Sequence, residues 1–86
     1  MFYVYILKSI KDQNGYIGTT DNLENRLMRH NKGEVKSTKY RRPFILIYNE
    51  EFDTLSEARK REWFLKCTPQ GGKIKRKILG MAGVAA

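Results

Sequence analysis

The chain opens on alternating faces. In Phe2–Lys8, Phe2, Val4 and Ile6 fall on one side and Tyr3, Tyr5 and Leu7 on the other, an aromatic and β-branched run that predicts a strand. The segment Lys11-Asp12-Gln13-Asn14-Gly15 ends in Asn-Gly, a strong hairpin signal, and Tyr16-Ile17-Gly18 reads as the antiparallel return. That hairpin brings Tyr5 and Tyr16 into one neighbourhood. Asp21 followed by Glu24 predicts a helix start, with the helix running to about Asn31 and stopping at Gly33. Leu23, Leu27 and His30 share one face of it, with Arg26 beside them. After a basic loop and Pro43, the apolar run Phe44–Tyr48 predicts a third strand in the central or a buried position. Thr54 with Glu57 is a second capping pair, opening a helix to about Cys67 with Leu55, Ala58, Glu62 and Leu65 as its inward stripe. Pro69-Gln70-Gly71-Gly72 reads as a break before a last helix, Lys73–Met81. The pattern is that of one α/β (α+β) domain over residues 1–79, with 80–86 a flexible tail of small residues.

Length and charge narrow the function. With 86 residues there is room for one modest core and one site. Seventeen Lys and Arg against nine Asp and Glu give a net charge of +8, which favours a polyanionic partner such as nucleic acid. Arg29, Lys32, Lys36, Lys39, Arg41 and Arg42 cluster on and after the first helix with only Glu34 opposing them. They are the candidate track for a phosphate backbone, with weak sequence specificity because no base-reading motif is evident. The longest apolar runs, Phe2–Leu7 and Pro43–Tyr48, are far short of the ~20 residues of a membrane span. No secretory leader is visible. The lone Cys67 allows no internal disulfide and no thiolate zinc site, which fits a reducing, cytoplasmic setting.

Three features do not fit a packing role. Glu62 sits on the inward stripe of its helix, where burying an unpaired carboxylate costs several kcal/mol. Either it pairs with Arg59, Arg61 or Lys66, or it ligates a hard cation such as magnesium, which is often held by one or two carboxylates plus a substrate phosphate. Arg26 and His30, at i and i+4, project together: the arginine fork matches a phosphate, and the histidine titrates near neutrality. The plainer alternative is a hydrogen-bonded helix histidine beside a surface arginine. Five tyrosines in so short a chain are mostly core candidates, yet two hydroxyls across a hairpin could hold a water.

In order along the chain, these residues resemble the GIY-YIG nuclease family. Tyr3-Val4-Tyr5 matches the first half-motif and Tyr16-Ile17-Gly18 the second. Arg26 matches the downstream arginine, His30 the histidine one turn later, and Glu62 the helical acid. The likeness covers about Phe2 to Ile78 and is closest to the small stand-alone bacterial branch, similar to the N-terminal nuclease domain of the excision-repair UvrABC endonuclease's C subunit. It implies a three-stranded antiparallel sheet flanked by helices. It also implies one-metal hydrolysis of phosphodiester bonds in DNA, in repair or processing. On that likeness Tyr5 or Tyr16 orients or deprotonates the attacking water, Arg26 stabilises phosphorane-like charge, His30 assists proton transfer, and Glu62 ligates Mg2+ or Mn2+. Tyr3 stands where the family name has glycine. Thr19 follows Gly18 where the repair branch carries a lysine, so one cation is missing or comes from elsewhere. No appended DNA-binding domain is seen, so a protein partner would supply targeting. A nucleic-acid-binding module that has kept the fold and lost turnover is the alternative.

Overall fold

The computed structural model describes the backbone of residues 1–85 and side chains through Met81. Three strands, β1 (Phe2–Ser9), β2 (Gly15–Thr20) and β3 (Phe44–Phe52), form one antiparallel sheet in the order β2-β1-β3. Three helices flank it: α1 (Leu23–Lys32), α2 (Leu55–Cys67) and α3 (Pro69–Ala85). The arrangement is the expected α+β class.

The central strand is β1, not β3. Every residue from Val4 to Ser9 is buried, whereas β3 is an edge strand whose Ile45 is exposed. The apolar run reports that β3 feeds both cores, Phe44 and Leu46 packing with one and Ile47 and Tyr48 with the other, and does not report its place in the sheet. Position in the sheet is set by which strands find partners, and β1 finds two. The alternation read in β1 does hold. Val4 and Ile6 join Ile17, Ala58 and Leu65 beneath α2 and α3, while Tyr5 and Leu7 join Phe44, Leu23 and Leu27 beneath α1. The sheet is therefore covered on both faces, with separate cores.

The turns and caps depart from the sequence signals in instructive ways. The β1–β2 connection is a longer loop rather than a tight Asn-Gly turn. Gln13 takes the left-handed conformation at φ 64°, and the Ser9 amide donates to the Asn14 carbonyl at 2.9 Å. Asn14-Gly15 merely enters β2. Helix α1 is capped by Asn22 instead of Asp21, its side chain accepting from the Asn25 amide at 3.0 Å. Its C-terminus closes on Gly33 at φ 80°, as expected. In α2 the Thr54 hydroxyl caps the helix, accepting from the Glu57 amide at 3.2 Å and donating to the Glu57 carboxylate at 2.9 Å. Ala58 and Leu65 point inward, but Leu55 is exposed and Glu62 is half-buried at the flank.

The supposed breaker at Pro69 is a helix start. Thr68 caps α3 through the Gly71 amide at 3.0 Å, and Pro69 occupies the first turn, where its missing N–H costs nothing. Gly71 lets the two helices touch, since a Cβ there would stand 1.9 Å from the Phe64 carbonyl oxygen. The segment 80–86, expected as an unanchored tail, continues α3 as far as Ala85. Residue 86 lies outside the described residues. Among the described residues, no helix is long and apolar enough to cross a membrane.

Candidate active site

Strand register puts the two motif tyrosines on the α1 face. Tyr5 is 2 % exposed, and its ring lies 6.3 Å from that of the half-buried Tyr16. Opposite Tyr5 in the ladder stands Gly18, whose smallness is required: a Cβ there would meet the Tyr5 hydroxyl at 2.4 Å. The glycine of the second half-motif thus makes room for the tyrosine of the first.

Helix α1 presents Arg26 and His30 to this hydroxyl from successive turns. Arg26 Nε donates to Tyr5 Oη at 3.2 Å, and Tyr5 Oη lies 3.0 Å from His30 Nε2. His30 Nδ1 in turn lies 2.7 Å from Thr38 Oγ1, and Thr38 Oγ1 donates to the Val35 carbonyl at 3.4 Å. Directing the Thr38 proton to Val35 assigns one tautomer. Thr38 spends its proton on Val35, so it accepts from Nδ1–H. Nε2 is then free to accept the Tyr5 proton, and Tyr5 oxygen accepts from Arg26. His30 and Thr38 are completely buried.

Electrostatics follow from this burial. Burial pushes the Tyr5 hydroxyl above its usual range, with Arg26 opposing the rise. Burial, together with the nearby Arg26 and Arg29 charges, holds His30 down at about 4. His30 is therefore neutral at pH 7, and both its nitrogens are engaged. The proton-transfer role expected for it has no route to a substrate except through Tyr5.

Glu62 arrives from the other side. Helix α2 packs on the opposite face of the sheet from the tyrosine rings, but Glu62 lies on the flank of α2 next to the edge strand β2. Its Oε1 accepts the Thr19 hydroxyl, and its Oε2 accepts Lys66 Nζ at 2.9 Å. Of the three cations weighed as partners, Lys66 is the one that pairs. Arg61 instead makes a bidentate pair with Glu50 at 2.9 and 3.0 Å. Lys66 Nζ also lies 5.6 Å from the Tyr16 ring centroid, linking the acid to the tyrosine. A cation therefore does stand beside Thr19, contributed by α2.

Tyr5, Tyr16, Arg26 and His30 form one contact cluster, and Glu62 joins it at the β2 edge through Thr19 and Lys66. The buried members make a back row: Tyr5, His30 and Thr38. Tyr16, Arg26 and Glu62 are half-exposed and make a front row. Arg26 also lines a groove of about 320 Å3 with Thr19, Thr20, Asp21, Asn25 and Arg29, between the end of β2 and α1. Because Arg26 Nε is used by Tyr5, its two Nη groups are what it can offer a phosphate there.

The six basic candidates divide. Lys32, Lys36, Lys39 and Arg42 are exposed, and Arg29 is exposed but 3.7 Å from Glu34. Arg41 is committed elsewhere. Its Nε donates to Asp12 at 2.7 Å and its Nη2 to the Gly15 carbonyl at 3.3 Å, tying the basic loop to the hairpin. That ion pair, with the Asn14 amide, lowers Asp12 to about 2. Glu34 is thus not the only acid opposing the run. Sequence reasoning missed Thr38 and Gly18's steric role, and weighed Lys66 only as a partner for Glu62. Only Gly18 carried a signal, through its register opposite Tyr5.

Among the described residues no group of three or more His, Cys, Asp and Glu could hold a metal. Glu62 is a single carboxylate beside a hydroxyl, which fits magnesium or manganese bound largely through water and substrate phosphate rather than a protein cage. The Lys66 side chain is 41 % exposed and can swing aside for such a cation.

A tyrosine-bearing hairpin, a helical arginine and a second-helix acid on a three-stranded antiparallel sheet define the fold and site type of the GIY-YIG nuclease superfamily. The family comparison agrees: residues 1–75 match the GIY-YIG catalytic domain, and the chain belongs to that family. Its relatives include small UPF0213 proteins. That of Staphylococcus saprophyticus is 46 % identical over 74 residues, covering 85 % of this chain and 89 % of the relative. That of Pediococcus pentosaceus is 47 % identical over 75 residues, covering 86 % and 78 %. That of Clostridium perfringens is 44 % identical over 75 residues, covering 86 % and 80 %.

Proposed function

We propose that this protein hydrolyses phosphodiester bonds in DNA, with a divalent cation held by Glu62. The observation that carries the reading is the bonded Arg26–Tyr5–His30–Thr38 chain beside Tyr16, with Glu62 linked to the same β2 edge through Thr19 and Lys66. When bound, magnesium or manganese supplies Lewis-acid polarisation of the phosphate. The chain's own residues supply the rest. Arg26 offers its Nη groups to the phosphate, where negative charge grows as water attacks phosphorus and the P–O bond to the leaving strand breaks, the proton lost by the water passing through solvent to the leaving oxygen. Tyr16, the more exposed tyrosine, orients the water. Tyr5 acts one step back by fixing Arg26, and His30 keeps the Tyr5 proton turned away from the guanidinium. Lys32, Lys36, Lys39 and Arg42 hold the flanking phosphates in a salt-dependent way.

A second reading, binding of nucleic acid with little or no turnover, is favoured by one observation: both Glu62 oxygens are already engaged, by Thr19 and Lys66. The test is cleavage of DNA substrates of varied structure in magnesium and in manganese, comparing wild type with Glu62→Gln. The Glu62–Lys66 pair is partly exposed, with side chains 25 % and 41 % accessible, so it is worth at most about 1 kcal/mol. Glu62→Gln should leave the thermal midpoint nearly unchanged in metal-free buffer while abolishing cleavage. Absence of cleavage by the wild type with either ion, alongside retained binding, would establish the second reading instead.

A further inference from the structure

The outer face of α2 carries an apolar patch that the site above does not use. Trp63 is 61 % exposed, and with Leu55, Ser56, Arg59, Lys60 and Phe64 it lines an open depression of about 770 Å3. An indole standing out from a helix forgoes burial that a small core could have used. The only charged residues lining the depression are cations, Arg59 and Lys60. Trp63 is also the next residue after Glu62, about 100° further round the helix. The patch and the acid therefore share one element, the acid facing the β2 edge and the indole facing outward.

We propose that this patch binds unpaired bases of a nucleic-acid strand. A base stacks on the Trp63 indole, and the phosphates on either side meet Arg59 and Lys60. An all-cationic rim on a chain of net charge +8 selects against a basic protein surface and for a polyanion. Within a duplex the base faces are already stacked on one another, so an aromatic ring on a convex helix can reach only a base that is free. This inference rests on the nucleic-acid reading above and narrows it, placing a single-stranded segment next to the bond that Glu62 would serve.

Trp63 is the only tryptophan in the chain, so indole emission excited beyond the absorption of the five tyrosines reports on this patch alone. The experiment titrates the protein, in metal-free buffer, with oligothymidylate of about 10 nucleotides and with a duplex of the same length. The single strand should quench the emission, and Trp63→Ala should weaken its binding about tenfold while leaving duplex binding unchanged. Trp63→Phe should recover most of the loss, and Arg59→Glu with Lys60→Glu should weaken single-strand binding while leaving the indole in place. Binding without quenching, or a Trp63→Ala protein that binds the single strand as wild type does, would overturn the proposal. So would emission that shifts with protein concentration in the absence of nucleic acid, which would mean that a second copy covers the patch. Cleavage is assayed separately with magnesium. A nuclease with unresponsive Trp63 emission refutes the patch alone, whereas quenching by a protein that never cleaves supports the patch and refutes only the nuclease.

Discussion

His30 should make this fold sensitive to mild acid. Its imidazole is completely buried and held at about 4, against 6.5 for the free side chain. Because the folded-state value is depressed, the folded protein resists protonation that the unfolded chain accepts. The stabilisation is therefore complete above about pH 6.5 and is lost progressively as pH falls toward 4. A depression of about 2.5 units corresponds to about 3 kcal/mol across that window. For a domain of this size each kcal/mol moves the thermal midpoint by about 4–8 °C, so a fall of roughly 12–24 °C is expected between pH 7 and pH 4. Asp12 titrates lower, toward about 2, so its loss mostly follows below this window. The assay is thermal unfolding against pH for wild type and His30→Gln, the variant removing the titrating group. The wild-type curve should fall more steeply between pH 6.5 and 4. As the chain has a single histidine, its ring proton shifts in NMR give the folded-state value directly. A histidine titrating near 6.5, or two curves that fall in parallel, would refute the reasoning.

Two further substitutions examine the back row. Thr38→Val keeps the shape but leaves His30 Nδ1–H without its acceptor in a fully buried setting, and should cost about 1–3 kcal/mol in denaturant unfolding. Gly18→Ala forces a Cβ to within 2.4 Å of the Tyr5 hydroxyl, and neither the buried ring nor the strand can give way cheaply. It should cost about 1–3 kcal/mol and detach Arg26 from Tyr5, visible as lost affinity for nucleic acid beyond what the stability change explains.

Much of this fold is legible because period-2 and period-3.6 patterns report burial directly. The alternation in β1, the Thr54 cap and the Gly33 stop all correspond to observed features. What fails is what burial alone does not determine. Phe44–Tyr48 is more uniformly apolar than β2, yet it lies at an edge because strand order depends on long-range pairing. Pro69 and Thr68 are as much a helix start as a break, and the neighbouring α2 terminus decides between them. At the site, Arg26 and His30 stand out by their shared helical face, and Tyr5 and Tyr16 by the hairpin and the family likeness; the contacts among the four follow from a hairpin register and an i, i+4 spacing. Thr38 left no trace, since a threonine in a basic loop gives no sign that the loop folds back onto His30.

The division between back and front rows also explains how so small a chain can carry a polar network inside its core. Among the described residues no buried side-chain nitrogen or oxygen lacks a hydrogen-bond partner. Each group in the Arg26–Tyr5–His30–Thr38 chain both orients its neighbour and removes the desolvation cost that neighbour would otherwise bear. Rigidity is thereby concentrated behind Arg26, on the α1 face, where orientation of a guanidinium matters most. The acid needs less. Glu62 stands beside β2 with a half-exposed lysine partner, so on the proposed reading it would trade that ammonium for a cation without disturbing either core. Placing the carboxylate on the far helix and the arginine on the near one lets two cores, packed on opposite faces, present their polar flanks at one strand edge.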